Sequence, residues 1–279
     1  MSFEQWSVYN HALIPNIAPN IVPNLSDLDN PEIWKREHPL FARWVTDWDC
    51  GTETDWWYVI KDEKFDISEL KSKRRYEINK GRRNFLVKRI NASEFKEQIY
   101  EIQVDAYSDY PVKYRPCVIK HEFFEFIESW EQNVVFGAFS STTEELVGYA
   151  RLNQVNERFI EFLVLKSKPE FEKQGVNAAI VDGILCCLNE FLAERGILCD
   201  GSRNIKHETN FQEYLIKYFG FRKAYCFLNI KYRKPVDFVI KVLYPFRTLL
   251  QKMDSNRIIH LVNGVMTMDN IVRNQKRRK

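Results

Sequence analysis

With 279 residues, 45% of them hydrophobic and 28% charged, the chain can bury a sizeable core in one large domain or two small ones, as a soluble globular protein does. Its apolar runs break well short of the roughly 18 residues of a membrane span, no charged-then-apolar leader pattern opens it, and its six cysteines lack metal-ligand spacing. The net charge of +3 is uneven: Arg222 to Lys279 holds fourteen basic and three acidic residues, so a body of −8 carries a basic final segment of +11, suited to an anionic surface.

Residues 1 to about 54 read as irregular. Three Pro-Asn pairs at four-residue spacing, between Ile14 and Asn24, favour an extended or turning path, and the Ile and Val residues among them can pack on the body as a strap. Asp55 to Ile60 is aromatic and β-branched, a strand signal. A helix with Asp66 or Ser68 as N-cap follows and ends at Gly81. Between Lys71 and Arg89 stand nine Lys and Arg against one acid, Glu77. This is either a patch for phosphate, RNA or an acidic glycan, or a solvated helix face. Phe85 to Ile90 is a strand. Ser93 caps a helix to Tyr107 whose apolar stripe is Phe95, Ile99, Ile102 and Ala106. A polar-aromatic loop, Tyr107 to Pro116, leads to another helix, His121 to Trp130.

Val134–Phe139, Leu146–Leu152 and Phe159–Leu165 form an antiparallel meander with short turns. Arg151 and Glu161 interrupt these apolar strands. A charge there is either paired, as Arg151 with Glu161, or set at a cleft. Gly175 opens a long apolar helix to about Arg195, and Gly196 stops it. That helix holds Cys186 and Cys187, which read with Cys199 as buried, reduced thiols of a cytoplasmic protein. The strand Ile197–Asp200, a helix from Glu208 to Tyr218 and a strand from Phe219-Gly-Phe221 complete this part. The turn into Gly175 is either an anion site, with unpaired N–H groups at a helix start, or an ordinary strand-to-helix turn. After Tyr232, the segments Val236–Tyr244, Phe246–Met253 and Ile258–Val272 show helical spacing. They lie on an anionic membrane or pack on the body, with Lys276-Arg-Arg-Lys279 as a basic end.

The order strand, helix, helix, three-strand meander, helix, strand, helix, strand resembles the GNAT acyltransferase fold, over about residues 83 to 232. Phe162-Leu-Val-Leu-Lys-Ser-Lys-Pro-Glu-Phe-Glu-Lys-Gln-Gly-Val-Asn-Ala-Ala179 is similar to that family's central motif. Asn210 to Phe221 is similar to its last helix running into its sixth strand. The resemblance implies an α+β fold with a mixed, mostly antiparallel sheet flanked by helices. It also implies an acyl-CoA co-substrate, acetyl-CoA first, held by Leu163, Val164, Lys173, Gln174, Gly175, Val176, Asn177, Ala178 and Asn210, with no metal. Glu161 is then the base, and Tyr218 and Tyr225 are the candidates for the acid. Tyr107, Tyr110, Tyr114 and Arg115 cover the acceptor site, and Arg151, Asp200 and Arg203 hold substrate groups. The chain departs from the family turn at Glu172 and Asn177. It has Ile216 where a Tyr is usual, so an inactive binding module stays open as an alternative.

The strand, the basic helix Leu70-Lys-Ser-Lys-Arg-Arg-Tyr-Glu-Ile-Asn-Lys-Gly81 and the strand Phe85–Ile90 resemble FemAB-type proteins. Those move an aminoacyl group from tRNA to a peptidoglycan precursor on GNAT-like folds. That resemblance implies a glycan or small-molecule acceptor from the cell envelope, with tRNA as partner under the alternative reading. Three segments are expected: an N-terminal extension at 1–82, a GNAT-like domain at 83–232 and a basic helical tail at 233–279. Contact of 236–279 with the inner face of the membrane is the other partner expected, and the oligomeric state is open.

Overall fold

The computed structural model describes residues 4–35, 37–108, 115–205, 210–252 and 257–278. Contacts gather the chain into two units that interleave along the sequence rather than following each other. One draws on Met1–Tyr58, Ser202–Thr209 and Lys223–Lys279, and the other on Val59–Gly201 and Asn210–Arg222. The basic helix, expected in an N-terminal extension, thus lies in the second unit, and most of the last strand lies in the first.

The second unit is built on β5 (Phe85–Ile90), β6 (Asn133–Ser140), β7 (Leu146–Asn156), β8 (Phe159–Ser167) and β9 (Ile197–Ser202). With β4 (Trp56–Lys61) the strand order is β4-β9-β8-β7-β6-β5. The meander is antiparallel, and β9 runs parallel to β8. Successive residues of a strand point to opposite faces, which separates the helices into two layers. Tyr149, Val135 and Val164 face α2 (Lys96–Ala106) and α3 (Lys120–Glu128), whose Ile99, Ile102 and Ile127 close a core with Trp130 just past the end of α3. Gly148, next to Tyr149, faces Ile180 of α5 (Val176–Ala193) on the other side. Asn91 rather than Ser93 caps the turn into α2, its Oδ1 accepting from the Ser93 N–H at 3.2 Å.

Ten of the eighteen residues of α5 are buried. It is long and apolar enough to cross a membrane, where the sequence suggested no such helix, yet its apolar residues face the sheet. Cys186 and Cys187 are exposed, not buried: they sit between the buried positions Ile184, Leu185 and Leu188, on the outer side of the helix. The chain leaves α5 through Arg195 in the left-handed region at φ 65°, one residue before the expected glycine. A short helix, α4 (Pro169–Glu172), precedes α5, and α6 (Asn210–Phe219) follows β9.

The basic helix α1 (Ser72–Asn84) does not stop at Gly81. Gly81 is buried inside it, and a Cβ there would sit 2.7 Å from the Gly175 carbonyl and 3.1 Å from Ala179 Cβ. The glycine is there for close approach to the start of α5, not for termination. Asp66 caps a separate 3-10 turn at Ile67–Glu69, its Oδ1 accepting from the Ser68 N–H at 2.7 Å.

In the first unit the expected irregular N-terminus holds three strands, β1 (Trp6–Tyr9), β2 (Ala12–Pro15) and β3 (Phe41–Thr46). With β10 (Arg222–Tyr232) and β4 the order is β1-β2-β3-β10-β4. Asn10 and His11, at φ 47° and 63°, make the tight β1–β2 hairpin turn. The Pro-Asn stretch is fastened by its asparagines: Asn16 Nδ2 donates to the Glu4 carbonyl at 2.6 Å, and the Asn24 N–H to Gln5 Oε1 at 2.8 Å. One face of this sheet carries α7 (Lys234–Leu243) and α9 (Arg257–Arg278). Phe41, Val45, Trp56 and Leu228 pack there against Ile240, Val265, Met266 and Ile271. The helical stretch 258–272 therefore packs on the first unit. A shorter helix, α8 (Arg247–Lys252), lies between α7 and α9.

Candidate active site

The β8–β9 ladder is short. It pairs Phe159 with Ile197, Ile160 with Leu198 and Glu161 with Cys199, and goes no further. β8 stays paired with β7 as far as Ser167, with Leu163 bulged out between the Val164 and Phe162 pairings and 43% exposed. The two parallel strands therefore part just beyond Glu161 and Cys199, and a fork opens in the sheet of the second unit.

A carboxylate stands on each face of the fork. Glu161 lies on the α2–α3 side with its cross-strand partner Asn153, whose Nδ2 donates to Glu161 Oε2 at 3.5 Å. Asn133 Nδ2 donates in turn to Asn153 Oδ1 at 3.2 Å. Burial raises the Glu161 pKa against the opposing effect of the Asn153 hydrogen bond. Asp200 follows Cys199 and so points to the opposite face. Burial pushes it up to about 7, opposed by a hydrogen bond with Gln212 of α6. Gly201, in the left-handed region at φ 93°, then turns the chain.

The Arg151–Glu161 ion pair is not formed. The Arg151 guanidinium instead lies 4.5 Å from the Trp130 ring centroid and 4.9 Å from that of Phe126, and burial lowers its pKa. Cation–π packing holds it where the bulge at Leu163 has shifted the register between the two strands. Along the same face the Tyr149 hydroxyl donates to Gln103 Oε1 at 2.6 Å. Lys166 Nζ lies 4.5 Å from the Tyr107 ring centroid, and burial lowers the lysine pKa. Of the expected acceptor loop, Tyr107 and Arg115 are described, while Tyr110 and Tyr114 lie outside the described residues.

On the other face lies a groove of about 580 Å³. Its walls are Lys73, Tyr76, Glu77 and Lys80 of α1, the turn from Glu172 to Ala178, and Phe211, Tyr214 and Tyr218 of α6. Gly175, at φ 92°, takes the left-handed conformation that only glycine adopts freely, and no side chain caps the first turn of α5. The turn is fixed from outside. Lys80 Nζ donates to the Lys173 carbonyl at 2.7 Å, Asn84 Nδ2 to the Gln174 carbonyl at 3.0 Å, and Ser167 Oγ to Asn177 Oδ1 at 2.9 Å. Asn177, where the family pattern is small, is thus bonded to the end of β8. The Phe211 ring packs tilted against Phe162 with centroids 5.6 Å apart, which ties the α6 wall to the fork, and Arg74 sits 3.4 Å from the Tyr218 ring centroid.

Of the residues named from the sequence, this second unit therefore brings together Glu161, Leu163, Val164, Lys173 to Ala178, Asp200, Asn210 and Tyr218. Tyr225 and Arg203 belong to the first unit. There Arg203 lies 4.3 Å from the Trp57 ring centroid, and the Tyr225 ring meets the edge of Trp57 at 6.3 Å. Phe211 and Tyr214 were missed in the sequence, although Phe211, Tyr214 and Tyr218 follow at steps of three and four that mark one helix face. Asn153 and Gln212, which pair with the two carboxylates across non-local contacts, were missed as well.

The second unit has a divergent GNAT-like fold. The strand–helix order from β5 to α6 and the antiparallel meander are the ones that the resemblance implied. Solved structures to which the chain is similar include FemX, at 12% identity over 72% of this chain and 73% of that one, with a TM-score of 0.49. A C-terminal domain assigned to a lysylphosphatidylglycerol synthetase of Agrobacterium fabrum is similar at 10% identity over 85% and 84%, with a TM-score of 0.49. The structure titled L-PGS from Bacillus licheniformis is similar at 10% identity over 94% and 84%, with a TM-score of 0.48. No protein-family model matches the chain, and no curated protein does.

Proposed function

We propose that the chain is an acyltransferase that moves an acyl group, acetyl first, from an acyl-CoA thioester to an amine or hydroxyl. The observation that carries this reading is the fork. A strand pair that parts at Glu161 and Cys199 leaves the edge of β8 beyond Phe162 free of β9, beside the groove at the start of α5. The groove residues fit the donor: Gly175, Ala178 and an uncapped helix start suit a pyrophosphate, and Lys73 and Lys173 add positive charge. In this reading the N–H of Val164 or a neighbour polarises the thioester carbonyl. Glu161 takes the proton of the acceptor from the α2–α3 face. Asp200, on the groove face, returns a proton to the leaving thiolate, a task for which a group titrating near neutrality is matched. The acceptor class, a cell-envelope glycan or its precursor, rests on the FemAB-like resemblance, and a cytoplasmic site of action on the reading of the cysteines as reduced thiols.

One observation favours a second reading. α1 walls the groove with Lys73 and Lys80, and its exposed Arg75 extends the basic face, as an aminoacyl-tRNA donor would need. Parallel titration with acetyl-CoA and with aminoacyl-tRNA separates the two. Saturable acetyl-CoA binding with weak, steeply salt-dependent RNA binding supports the first reading. Tight binding of charged tRNA without acyl-CoA binding replaces it with the second. Binding of neither sinks both.

A further inference from the structure

The first unit carries a surface that acyl transfer does not use. α7 is apolar on two sides. Val236, Ile240 and Leu243 face the core, while Phe238, Val239 and Val242 are exposed at 70%, 49% and 50%. The exposed row continues past Pro245 with Phe246 at 56% and Leu249 at 58%. Phe238, Val242, Phe246 and Leu249 follow at steps of four, four and three, which keeps them on one side of the helical path from α7 to α8. Isolated exposed apolar residues are ordinary, but a continuous row of this size is not.

The charges beside the row select its occupant. Residues 233–252 hold five cations, Arg233, Lys234, Lys241, Arg247 and Lys252, and a single acid, Asp237. Asp237 is already paired with Lys241 at 2.6 Å. A hollow of about 280 Å³ opens beside the row, lined by apolar side chains alone, among them Val236, Val239, Leu243 and Leu261. A helix that is apolar outward, basic along its flanks and next to a hydrocarbon-sized hollow matches the interfacial layer of an anionic bilayer.

We propose that the α7–α8 face docks the chain on the surface of an anionic lipid bilayer, with Phe238, Val242, Phe246 and Leu249 entering the headgroup layer and the flanking cations meeting lipid phosphates. The proposal is independent of the acyl-transfer reading. The test is flotation of the full chain with phosphatidylcholine vesicles, with and without a third of phosphatidylglycerol. The expected result is binding at least about tenfold tighter to the anionic vesicles, since each cation near such a surface strengthens binding about fivefold, and loss of that preference at high salt. Phe238→Glu with Phe246→Glu should abolish flotation while the circular dichroism spectrum stays unchanged, and Lys234→Gln with Lys252→Gln should weaken anionic binding alone. Absence of flotation with anionic vesicles at low salt would overturn the proposal. Equal binding to both vesicle types would do the same. So would a concentration-dependent dimer dispersed by Phe238→Glu, which would assign the row to a second copy of the chain.

Discussion

Glu161 and Asp200 sit one on each face of the fork, and each is held back from ionising mainly by burial. In the proposed role of base, Glu161 works only when ionised. Activity should therefore fall as pH drops through a Glu161 pKa lying above the ordinary glutamate range, and the acid limb of the kcat/KM profile should report it. Glu161→Gln should lower kcat about a hundredfold or more with little change in KM. An unchanged kcat would remove the assignment. For Asp200 the sign concerns stability. Its folded pKa of about 7 lies above the ordinary aspartate value of 3.8, so the native state binds the extra proton between these limits. Stability should then decline as pH rises through that window and level off above it. Asp200→Asn should flatten this decline and raise the melting temperature at pH 8 by several degrees, since each kcal/mol shifts a chain of this size by about 2–4 °C. A melting temperature with the same pH slope in both proteins would contradict it. Neither partner of these carboxylates was visible in the sequence, because Asn153 meets Glu161 through a strand register and Gln212 meets Asp200 through a helix ten residues on. Glu161 itself was legible, as a charge in an apolar strand.

Among the elements, α1 and α5 are joined by a close glycine contact as well as by an ion pair, in which Arg82 Nε and Nη2 donate to Asp182 Oδ2 and Oδ1 at 2.7 Å each. Gly81→Ala tests the glycine contact. The substitution gains about 1 kcal/mol of helix propensity, but the new Cβ would lie 2.7 Å from the Gly175 carbonyl. The expected net result is a loss of about 1–3 kcal/mol in urea unfolding, because the contacted atom is backbone and cannot swing aside. Equal or greater stability would mean that the helices can part at no cost. The meander, α5 and the Gly175 turn were readable because their periodicity is local and strong. Gly81 misled because a glycine inside a basic helical pattern looks like a stop until its neighbour 94 positions on is in place. β3 was missed for a related reason: its six residues alternate only partly, and it is defined by pairing with β10 near the other end of the chain. The outward position of Cys186 and Cys187, by contrast, follows from the 3.6-residue period of α5 and was there to be read.

At the scale of the whole molecule, the chain holds a divergent GNAT-like unit, the second, and a first unit built from both ends of the sequence. The basic final segment, noticed first as a charge imbalance, divides into two structural parts. α9 buries Val265, Met266 and Ile271 in the first unit, whereas α7 and α8 turn apolar side chains outward. Charge counting alone could not separate these parts, since both carry basic residues at helical spacing. In the proposed function the groove at the start of α5 holds the acyl donor. Calorimetric titration with acetyl-CoA tests it most directly, run on the native chain and on Asn177→Glu, which sets a carboxylate in the first turn of α5 where the donor phosphates would lie. Saturable binding by the native chain and at least a tenfold loss in the variant are the expected results. No heat with the native chain, or equal affinity in both proteins, would contradict this placement of the donor.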